Sequence, residues 1–361
     1  MFNLKLSGNK MNINKRIPVK GFAMTNAKSK FQSFEFTRRA LKSNDVLIKI
    51  KYAGICHSDI HTARSEWGTC NYPIVPGHEI AGEVVAIGNK VKKFKIGDYA
   101  GVGCMVNSCQ KCSKCKAGYE QNCDKGVFTY NSKDIFNNDE IQQGGYSNYI
   151  VVTENFVIKV PKDAPLQYVA PLLCAGITTY APVVFSKVKK GQNVAIAGFG
   201  GLGVMALKYA KKFGANIYVF ARNNKKEKEA KKLGVKKLYT SLEDVKEEFD
   251  LIISTIPNKY DVMEYVKLLK YGGEMCILGI PPAESKWSIN PSDLVFVNHK
   301  KIYGSLIGGI ALTQKMLNFS LKNKIYPEIE VINPAQIDEA WEKMTTGKGK
   351  FRYVINMKNF K

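Results

Sequence analysis

A glycine-rich turn between an apolar strand and a helix is the feature that most constrains how this chain folds. Residues 193–197 form an apolar strand pattern, and Gly198-Phe-Gly-Gly-Leu-Gly203 leads from it into a helical pattern over 202–213. Glycines here permit a tight turn and let the backbone approach a pyrophosphate at the helix N-terminus. The turn predicts a dinucleotide-binding βαβ unit, with a glycine turn that binds no ligand as the alternative. The ligand-contacting residues would be Gly198, Gly200, Gly201, Leu202 and Gly203.

The pattern of apolar runs changes near residue 165. Before it, short β-type runs are separated by Gly, Pro and Asp, which predicts a β-barrel-like unit; they cover 46–52, 82–87, 98–102 and 149–152. After it, strand and helix patterns alternate, as is typical of a parallel, doubly wound sheet. The strands are predicted over 216–220, 250–255, 274–279 and 301–305, and the helices over 225–233, 260–269 and 312–322. A final strand is predicted over 352–356. The chain has 361 residues, which suggests two domains and an α/β class overall.

The residues after the second strand of this unit indicate which dinucleotide is bound. An NAD site carries an acidic residue about 20 residues beyond the glycine turn, where it holds the ribose 2′-hydroxyl. This chain instead has Arg222, Asn223, Lys225 and Lys226, and no acid before Glu227. A guanidinium attracts a 2′-phosphate. The segment therefore predicts NADP(H) rather than NAD, with a solvated basic turn as the alternative.

Four cysteines with the spacing C-x2-C-x2-C-x7-C form the first candidate metal site; they are Cys109, Cys112, Cys115 and Cys123. Four thiolates satisfy a tetrahedral Zn²⁺ and leave no coordination position open. The spacing predicts a structural zinc. An iron–sulfur cluster or a zinc-finger module for nucleic acid remains the alternative at this stage.

A second candidate metal site is dispersed along the sequence. Cys56 and His78 follow apolar runs, and Cys174 lies in an uncharged run. A buried cysteine by itself is more often part of the core. Two thiolates and one imidazole together are, however, a donor set of catalytic zinc, with the fourth position open. The three residues therefore predict a catalytic zinc ion, and the chain is expected to hold two zinc ions.

The formal charge of +23 comes almost entirely from lysine, since only six of the 54 basic residues are arginine. These lysines are spread over the whole chain, whereas nucleic-acid-binding surfaces concentrate Lys and Arg on one face. A zinc-stabilised nucleic-acid binder is the second hypothesis. It explains neither the glycine turn nor the dispersed ligands, so we expect an anionic small ligand and no nucleic-acid partner.

One uncharged run, 164–186, is long enough to cross a bilayer. It contains three prolines and several hydroxyl groups, which favour a buried helix with broken ends. Residues 1–20 are basic and rich in asparagine, without the apolar stretch of a secretory signal. We therefore expect a cytoplasmic protein with reduced thiols and no membrane partner.

These motifs together resemble the zinc-dependent medium-chain alcohol dehydrogenases, most closely the cinnamyl alcohol dehydrogenase branch. The matching stretches are GICHSDIH (54–61), YPIVPGHEIAGEV (72–84), GVGCMVNSCQKCSKCKAGYEQNC (101–123), GGYSNYIVV (144–152), APLLCAGITTY (170–180), GFGGLG (198–203), SLIGG (305–309) and FRYVI (351–355). The resemblance implies a GroES-like β-barrel catalytic domain, 1–165 and 305–361, interrupted by a Rossmann domain, 166–304. A zinc-free quinone or enoyl reductase of the same superfamily is the third hypothesis, but it would lack the ligands Cys56, His78 and Cys174.

The resemblance also implies a reaction. A hydride would pass between NADP(H) and a primary alcohol or aldehyde, with zinc acting as a Lewis acid on the substrate oxygen. Ser58 would take the alcohol proton and pass it through the nicotinamide ribose to His61. Asp59 would orient His78. Glu79 resembles a glutamate that approaches the zinc in this family, with a plain salt bridge as the alternative.

Further residues resemble the cofactor and substrate positions of the family. His57 and Arg352 would contact cofactor phosphates, and the positions that line the cofactor would be Thr178, Gly279, Ser305 and Ile307. Trp67 and Met105 are candidate walls of the substrate pocket, with core packing as the alternative. Aromatic walls favour aryl or medium-chain substrates. The strand predicted at 301–305 is a candidate sheet edge for a homodimer.

Overall fold

The computed structural model describes residues 3–6, 9–285, 287, 289–296, 299–347, 349 and 352–360. Phe351, the first residue of the FRYVI motif, lies outside the described residues. The described chain divides into two compact units. The first unit comprises 1–174, 308–321 and 328–361, and the second comprises 175–307 and 322–327.

The first unit is built mainly from short strands. They are β1 (Asn3–Leu6), β2 (Asn9–Asn12), β3 (Ile17–Ala23), β4 (Gln32–Arg38), β5 (Asp45–Gly54), β6 (Ile80–Ile87), β7 (Tyr99–Val102), β8 (Met105–Asn107), β9 (Val127–Phe128), β10 (Lys133–Asp134), β11 (Glu140–Ile141), β12 (Tyr149–Thr153), β13 (Ile158–Val160), β20 (Ile329–Ile332) and β21 (Arg352–Asn356). Its helices are α1 (His57–Ala63), α2 (Ser113–Lys116), α3 (Leu166–Pro171), α9 (Ile310–Asn323, whose last two residues belong to the second unit) and α10 (Ile337–Thr345).

A seven-stranded sheet organises this unit around β5. Its strands follow the order β13-β7-β6-β5-β21-β20, and β12 also pairs with β5. Strand β5 reads DVLIKIKYAG, and most of its side chains are buried. Successive side chains of a strand point to opposite faces, so the buried stretch 45–48 shows that both faces of this part of β5 are covered. Because β5 is central, the residues that follow it are held on a rigid support.

The second unit is a parallel sheet with helices between its strands. The strands are β14 (Asn193–Ala197), β15 (Asn216–Phe220), β16 (Lys237–Tyr239), β17 (Phe249–Ser254), β18 (Leu269–Ile277) and β19 (Lys301–Gly304). The helices are α4 (Ile177–Phe185), α5 (Gly201–Lys212), α6 (Glu227–Lys232), α7 (Val262–Lys267) and α8 (Pro291–Val295). All pairs are parallel, in the order β16-β15-β14-β17-β18-β19. This is the doubly wound order 3-2-1-4-5-6, which confirms the predicted fold class.

The uncharged run forms α3, a π-helical turn over Leu172–Gly176, and then α4. Within the described residues, Leu166–Phe185 has the length and hydropathy of a membrane span, but 78% of its apolar window is buried inside the protein. This agrees with the prediction of a buried helix with broken geometry. Helix α3 packs on β5, β6 and β21 of the first unit, so the first unit extends past the predicted boundary at residue 165.

Candidate active site

Four potential metal ligands that are far apart in sequence meet inside the first unit. They are Cys56, His78, Glu79 and Cys174, and their donor atoms all lie within 4.8 Å of one another. Cys56 follows β5 and caps α1, His78 and Glu79 directly precede β6, and Cys174 lies in the π-helical turn. The sulfur atoms of Cys56 and Cys174 are 4.0 Å apart. All four side chains are buried.

The carboxylate of Asp59 holds two of these ligands. Its Oδ1 is 2.9 Å from Nδ1 of His78, and its Oδ2 accepts a 2.9 Å hydrogen bond from the backbone N–H of Cys56. Because Nδ1 of His78 is bound to Asp59, its Nε2 is the nitrogen that faces a metal. The predicted orienting role of Asp59 thus has a direct geometric basis.

Burial and neighbouring groups shift the ionisation of the site. A hydrogen bond to Cys174 holds the pKa of the Cys56 thiol well below its usual range, and His78 adds to this effect. Burial opposes charge on His78, but the adjacent Asp59 raises the net pKa of its imidazole. Burial also raises the pKa of Glu79 to about 8, although Arg352 acts in the opposite direction.

The donor set fits a zinc ion. Two thiols, one imidazole and a carboxylate are the ligands that zinc takes in proteins, and three protein ligands leave a position for substrate. Oε2 of Glu79 is buried and has no hydrogen-bond partner. A buried acceptor without a partner is costly unless a cation or a polar group meets it. Cys56, His78 and Cys174 would therefore hold the metal, with Glu79 beside it.

Glu79 makes a buried ion pair with Arg352 of β21. Both roles stated for Glu79 are therefore compatible with its position: it lies among the metal ligands, and it forms a salt bridge. Arg352, predicted to contact a cofactor phosphate, is only 8% exposed and is held by Glu79. Nε of Arg352 has no hydrogen-bond partner, so the ion pair with Glu79 does not use all of its donors, and the contact with a cofactor phosphate stays a prediction.

The residues of the predicted proton relay lie on α1 and just after it. Oγ of Ser58 is 3.6 Å from Sγ of Cys56, which places the hydroxyl beside the metal ligands. Nδ1 of His61 is 2.5 Å from Oε2 of Glu66, and the ring of His61 stacks on Trp67 with centroids 4.8 Å apart. Sequence reasoning missed Glu66. Its signal is an acid five residues after His61, where the chain folds back and the N–H of Glu66 donates to the carbonyl of His61 at 2.9 Å.

The two candidate wall residues differ in their surroundings. Trp67 packs on the relay histidine His61, at the active site. Met105, in β8, is 2% exposed, and its methyl carbon lies 3.2 Å from where a side chain at Gly126 would begin. Met105 thus packs beside the segment 109–123, which carries the four clustered cysteines. This position agrees with core packing, the alternative stated for Met105, and its role as a pocket wall stays a prediction.

The four clustered cysteines also converge as predicted; Cys109, Cys112, Cys115 and Cys123 all place their sulfur atoms within 4.8 Å of one another. Backbone N–H groups already donate to these sulfurs, for example from Cys112 to Cys109 at 3.4 Å. The backbone N–H groups of Lys111 and Cys112 lower the pKa of the Cys109 thiol to about 6. Four thiols in this arrangement fit a closed structural zinc site. The segment 109–123 contacts α9, because Glu120 accepts a 3.1 Å hydrogen bond from the N–H of Ile310.

In the second unit, the glycine turn has the conformation that its sequence predicts. Gly198 has φ +98°, and a side chain on it would begin 2.6 Å from Oγ1 of Thr255. A side chain on Gly203 would begin 2.0 Å from the carbonyl oxygen of Gly198. Gly200 caps α5, whose first residues are Gly201 and Leu202. The turn follows the central strand β14, at the point where the strand order reverses, which is where this fold binds dinucleotides.

The other cofactor positions of the second unit follow its strands or lie on α4. Arg222, Asn223, Lys225 and Lys226 come after β15 and are all exposed. Nζ of Lys226 lies 6.0 Å from the ring centroid of Phe199 in the glycine turn, so this basic segment lies beside the turn. Thr178 is on α4, Gly279 follows β18, and Ser305 and Ile307 follow β19. His57 and Arg352 belong to the first unit, so the predicted cofactor residues are divided between the two units.

Comparison with known proteins gives consistent matches along the chain. The model of the alcohol dehydrogenase GroES-like domain matches residues 42–162, and that of the zinc-binding dehydrogenase matches 201–322. NADP-dependent alcohol dehydrogenase C 1 of Mycolicibacterium smegmatis is 43% identical over 345 residues, covering 94% of this chain and 97% of that protein. Cinnamyl alcohol dehydrogenase 2 of Rauvolfia serpentina is 40% identical over 351 residues, covering 95% and 96%. The crystal structure of CAD from Helicobacter pylori complexed with NADP(H) is 55% identical, with a TM-score of 0.93, and covers 95% of this chain and 99% of that one.

Proposed function

The chain belongs to the zinc-dependent alcohol dehydrogenase family, and we propose that it is an NADP(H)-dependent enzyme that interconverts primary alcohols and aldehydes, favouring aryl or medium-chain substrates. The observation that carries this proposal is the meeting of Cys56, His78 and Cys174, with Asp59 holding two of them. The zinc-free reductase and the nucleic-acid binder need no such donor set.

The site can bind and activate a substrate oxygen. Zinc bound by Cys56, His78 and Cys174 supplies a Lewis acid for that oxygen, and NADP(H) supplies or accepts the hydride. Ser58 is beside the ligands, and its Oγ can accept the alcohol proton. His61, whose Nδ1 is bound to Glu66, keeps Nε2 as the proton acceptor on its other side. The stacked ring of Trp67 limits how His61 can turn.

The preference for NADP(H) is supported by the exposed segment after β15. Arg222 and two lysines present positive charge there, and the first acid along the chain is Glu227. The M. smegmatis relative is named as NADP-dependent, and the H. pylori structure holds NADP(H). A 2′-phosphate carries the charge that this segment attracts.

The preference for larger substrates is supported by Trp67 at the active site and by relatives named for such compounds. These relatives include cinnamyl alcohol dehydrogenase 2 and an 8-hydroxygeraniol dehydrogenase of Catharanthus roseus. A screen should compare cinnamaldehyde, benzaldehyde and hexanal with acetaldehyde, each with NADPH and NADH, on protein whose zinc content has been measured. We expect two zinc ions per chain and the highest kcat/KM for cinnamaldehyde with NADPH. One zinc or none, or equal kcat/KM for acetaldehyde, would contradict the proposal.

We further propose that the enzyme is a homodimer. Strand β19 is an end strand of the six-stranded sheet, and such strands are open to pairing with another chain. Val295 and Phe296 precede β19 and are 76% and 80% exposed, which favours burial against a second copy. Light scattering of the purified protein should give the mass of two chains, and Phe296→Glu should lower it. The mass of a single chain for the unmodified protein at micromolar concentration would refute this proposal.

We also propose that the protein is located in the cytoplasm. All nine cysteines are reduced in the structure, and six of them belong to the two proposed zinc sites. Thiolate sites of this kind persist in reducing compartments. Cell fractionation should recover the activity with the cytosolic proteins, and recovery with an oxidising compartment would exclude this location.

A further inference from the structure

Tyr146 is a buried residue of the first unit that neither the proton relay nor the metal ligands account for. It belongs to the segment between β11 and β12, and its side chain is fully buried. Its hydroxyl donates a 3.0 Å hydrogen bond to Oδ2 of Asp59. A buried tyrosine hydroxyl requires a partner, but this partner is the carboxylate that orients His78.

The ring and backbone of Tyr146 also bind the segment that carries His78. Gly77, directly before His78, has φ +107°, and a side chain there would begin 2.6 Å from Cδ1 of Tyr146. The backbone N–H of Tyr146 donates to the carbonyl of Pro76 at 2.9 Å. Arg38 supports the segment that carries Tyr146, since it donates to the carbonyl oxygens of Gly144 at 2.9 Å and Tyr149 at 3.1 Å. The position of the phenol is therefore fixed by the fold.

Asp59 receives four hydrogen bonds that link the elements of the site. Its Oδ1 faces His78 and accepts from the N–H of Gly77 at 3.2 Å, while its Oδ2 accepts from the N–H of Cys56 and from Tyr146. Hydrogen bonds to one carboxylate affect one another, because each donor takes part of the negative charge. The donor bond from Tyr146 thus reduces the charge that Asp59 directs at His78. Tyr130 completes the surroundings, with its ring stacked on His78 at 5.7 Å.

We propose that Tyr146 is a positioning residue that sets, through Asp59, the orientation of His78 and its strength as a metal ligand. The inference rests on the proposed zinc site. Groups that hydrogen-bond to metal-binding histidines govern metal retention and reactivity, and Tyr146 acts one hydrogen bond further out. Without the phenol hydroxyl, Asp59 attracts the Nδ1 proton of His78 more strongly, and its carboxylate loses one of its two contacts at Oδ2.

The test is Tyr146→Phe in the zinc-loaded full chain. The phenylalanine ring fills the same buried space, so the fold is retained and only the hydroxyl is lost. We expect zinc to pass to a colorimetric chelator roughly five- to tenfold faster, because the looser orientation of His78 outweighs its greater basicity; this effect is smaller than the 10- to 100-fold typical of direct partners of the ligand. We also expect the visible bands of the Co²⁺-substituted protein to shift. In alcohol oxidation, the midpoint of the pH profile of kcat/KM should rise, because a more basic His78 makes the metal a weaker Lewis acid.

Two comparisons separate positioning from loss of a buried hydroxyl. Tyr149→Phe removes a phenol hydroxyl three residues along the chain and should leave the Co²⁺ bands and the zinc release rate unchanged. In a double-mutant cycle of Tyr146→Phe with Asp59→Asn, the effects on the zinc release rate should be strongly non-additive, since Tyr146 acts through Asp59. Equal zinc release rates and Co²⁺ bands in Tyr146→Phe and the unmodified protein, or additive effects with Asp59→Asn, would overturn the inference. Failure of the unmodified protein to retain zinc or to oxidise alcohols would instead refute the proposed function.

Discussion

The guanidinium of Arg352 hydrogen-bonds to the carboxylate of Glu79, and both groups are buried beside the metal ligands of the first unit. The two residues are 273 positions apart in the chain. Strand β21 brings Arg352 next to Glu79 because it pairs with β5, the strand that leads to Cys56. Gly54 at the end of β5 makes room for Glu79, since a side chain there would begin 2.0 Å from Oε2.

Removing one partner of this pair should destabilise the protein strongly. Arg352→Met leaves the carboxylate of Glu79 buried without its partner, and breaking a buried ion pair costs about 3–5 kcal/mol. We expect the apparent free energy of unfolding in urea to fall by about that amount. Glu79→Gln combined with Arg352→Met should recover part of the loss, because no buried charge then lacks a partner. If the double variant were as unstable as the sum of the single variants, the pair would not be the source of the effect.

Arg222 should discriminate between the two dinucleotides. Arg222→Ala removes a charge-assisted contact to the 2′-phosphate, which is worth about 1.5–3 kcal/mol. The KM for NADPH should therefore rise roughly 10- to 100-fold, while the KM for NADH stays within about twofold. Lys228→Ala, another exposed cation shortly after Arg222, is the control and should change neither value. Equal increases for the two cofactors would exclude the 2′-phosphate contact.

Periodicity predicted most elements of the second unit, and the reasons are physical. Strands β14 and β15 were predicted with the bounds that the structure shows, because buried parallel strands are continuous apolar runs. The short strand β16 and, in the first unit, β20 and α10 were not predicted. Each depends on the elements that it packs against more than on its own residues; β20, for example, reads IEVI and pairs with β21. The same dependence explains why the first unit extends to Cys174, since α3 packs on its strands.

The metal ligands could be predicted because few residue types bind zinc, and their chemistry identifies them even 118 positions apart. Residues that act through other residues could not. Glu66 is one of many acids in the sequence, and Tyr146 is one of 18 tyrosines. Their roles follow from contacts such as the bond from Tyr146 to Asp59, which spans 87 positions. The contact of Arg352 with Glu79, across 273 positions, could not be predicted for the same reason.

Glu66 should control proton release through His61. Glu66→Gln keeps a hydrogen-bond acceptor beside Nδ1 but removes the negative charge next to the imidazole that accepts the proton. We expect kcat for alcohol oxidation near neutral pH to fall by about tenfold, within the range known for general acid–base steps, with zinc content unchanged. The deficit should shrink as the pH rises, because hydroxide then removes the proton directly. Glu35→Gln, at an exposed pair with Lys20, is the control. A deficit that is the same at every pH would assign Glu66 a structural role only.

Cys276 should make the stability of the second unit depend on alkaline pH. Its thiol is fully buried in β18, and burial raises its pKa to about 12, whereas an unfolded thiol ionises at about 8.5. The unfolded chain therefore loses this proton first, so stability is fully present below about pH 8.5 and falls between there and about pH 12. Cys276→Ala should be less stable near neutral pH by about 1–2 kcal/mol because a buried sulfur is lost. Near pH 10.5 this deficit should shrink by about 2–3 kcal/mol and reverse, since the variant has no thiol to ionise there. Urea unfolding of both zinc-loaded proteins at several pH values measures the difference, in which contributions from the metal-binding thiols cancel. A constant difference from neutral pH to pH 10.5 would show that the thiol ionises equally in the folded and unfolded chains.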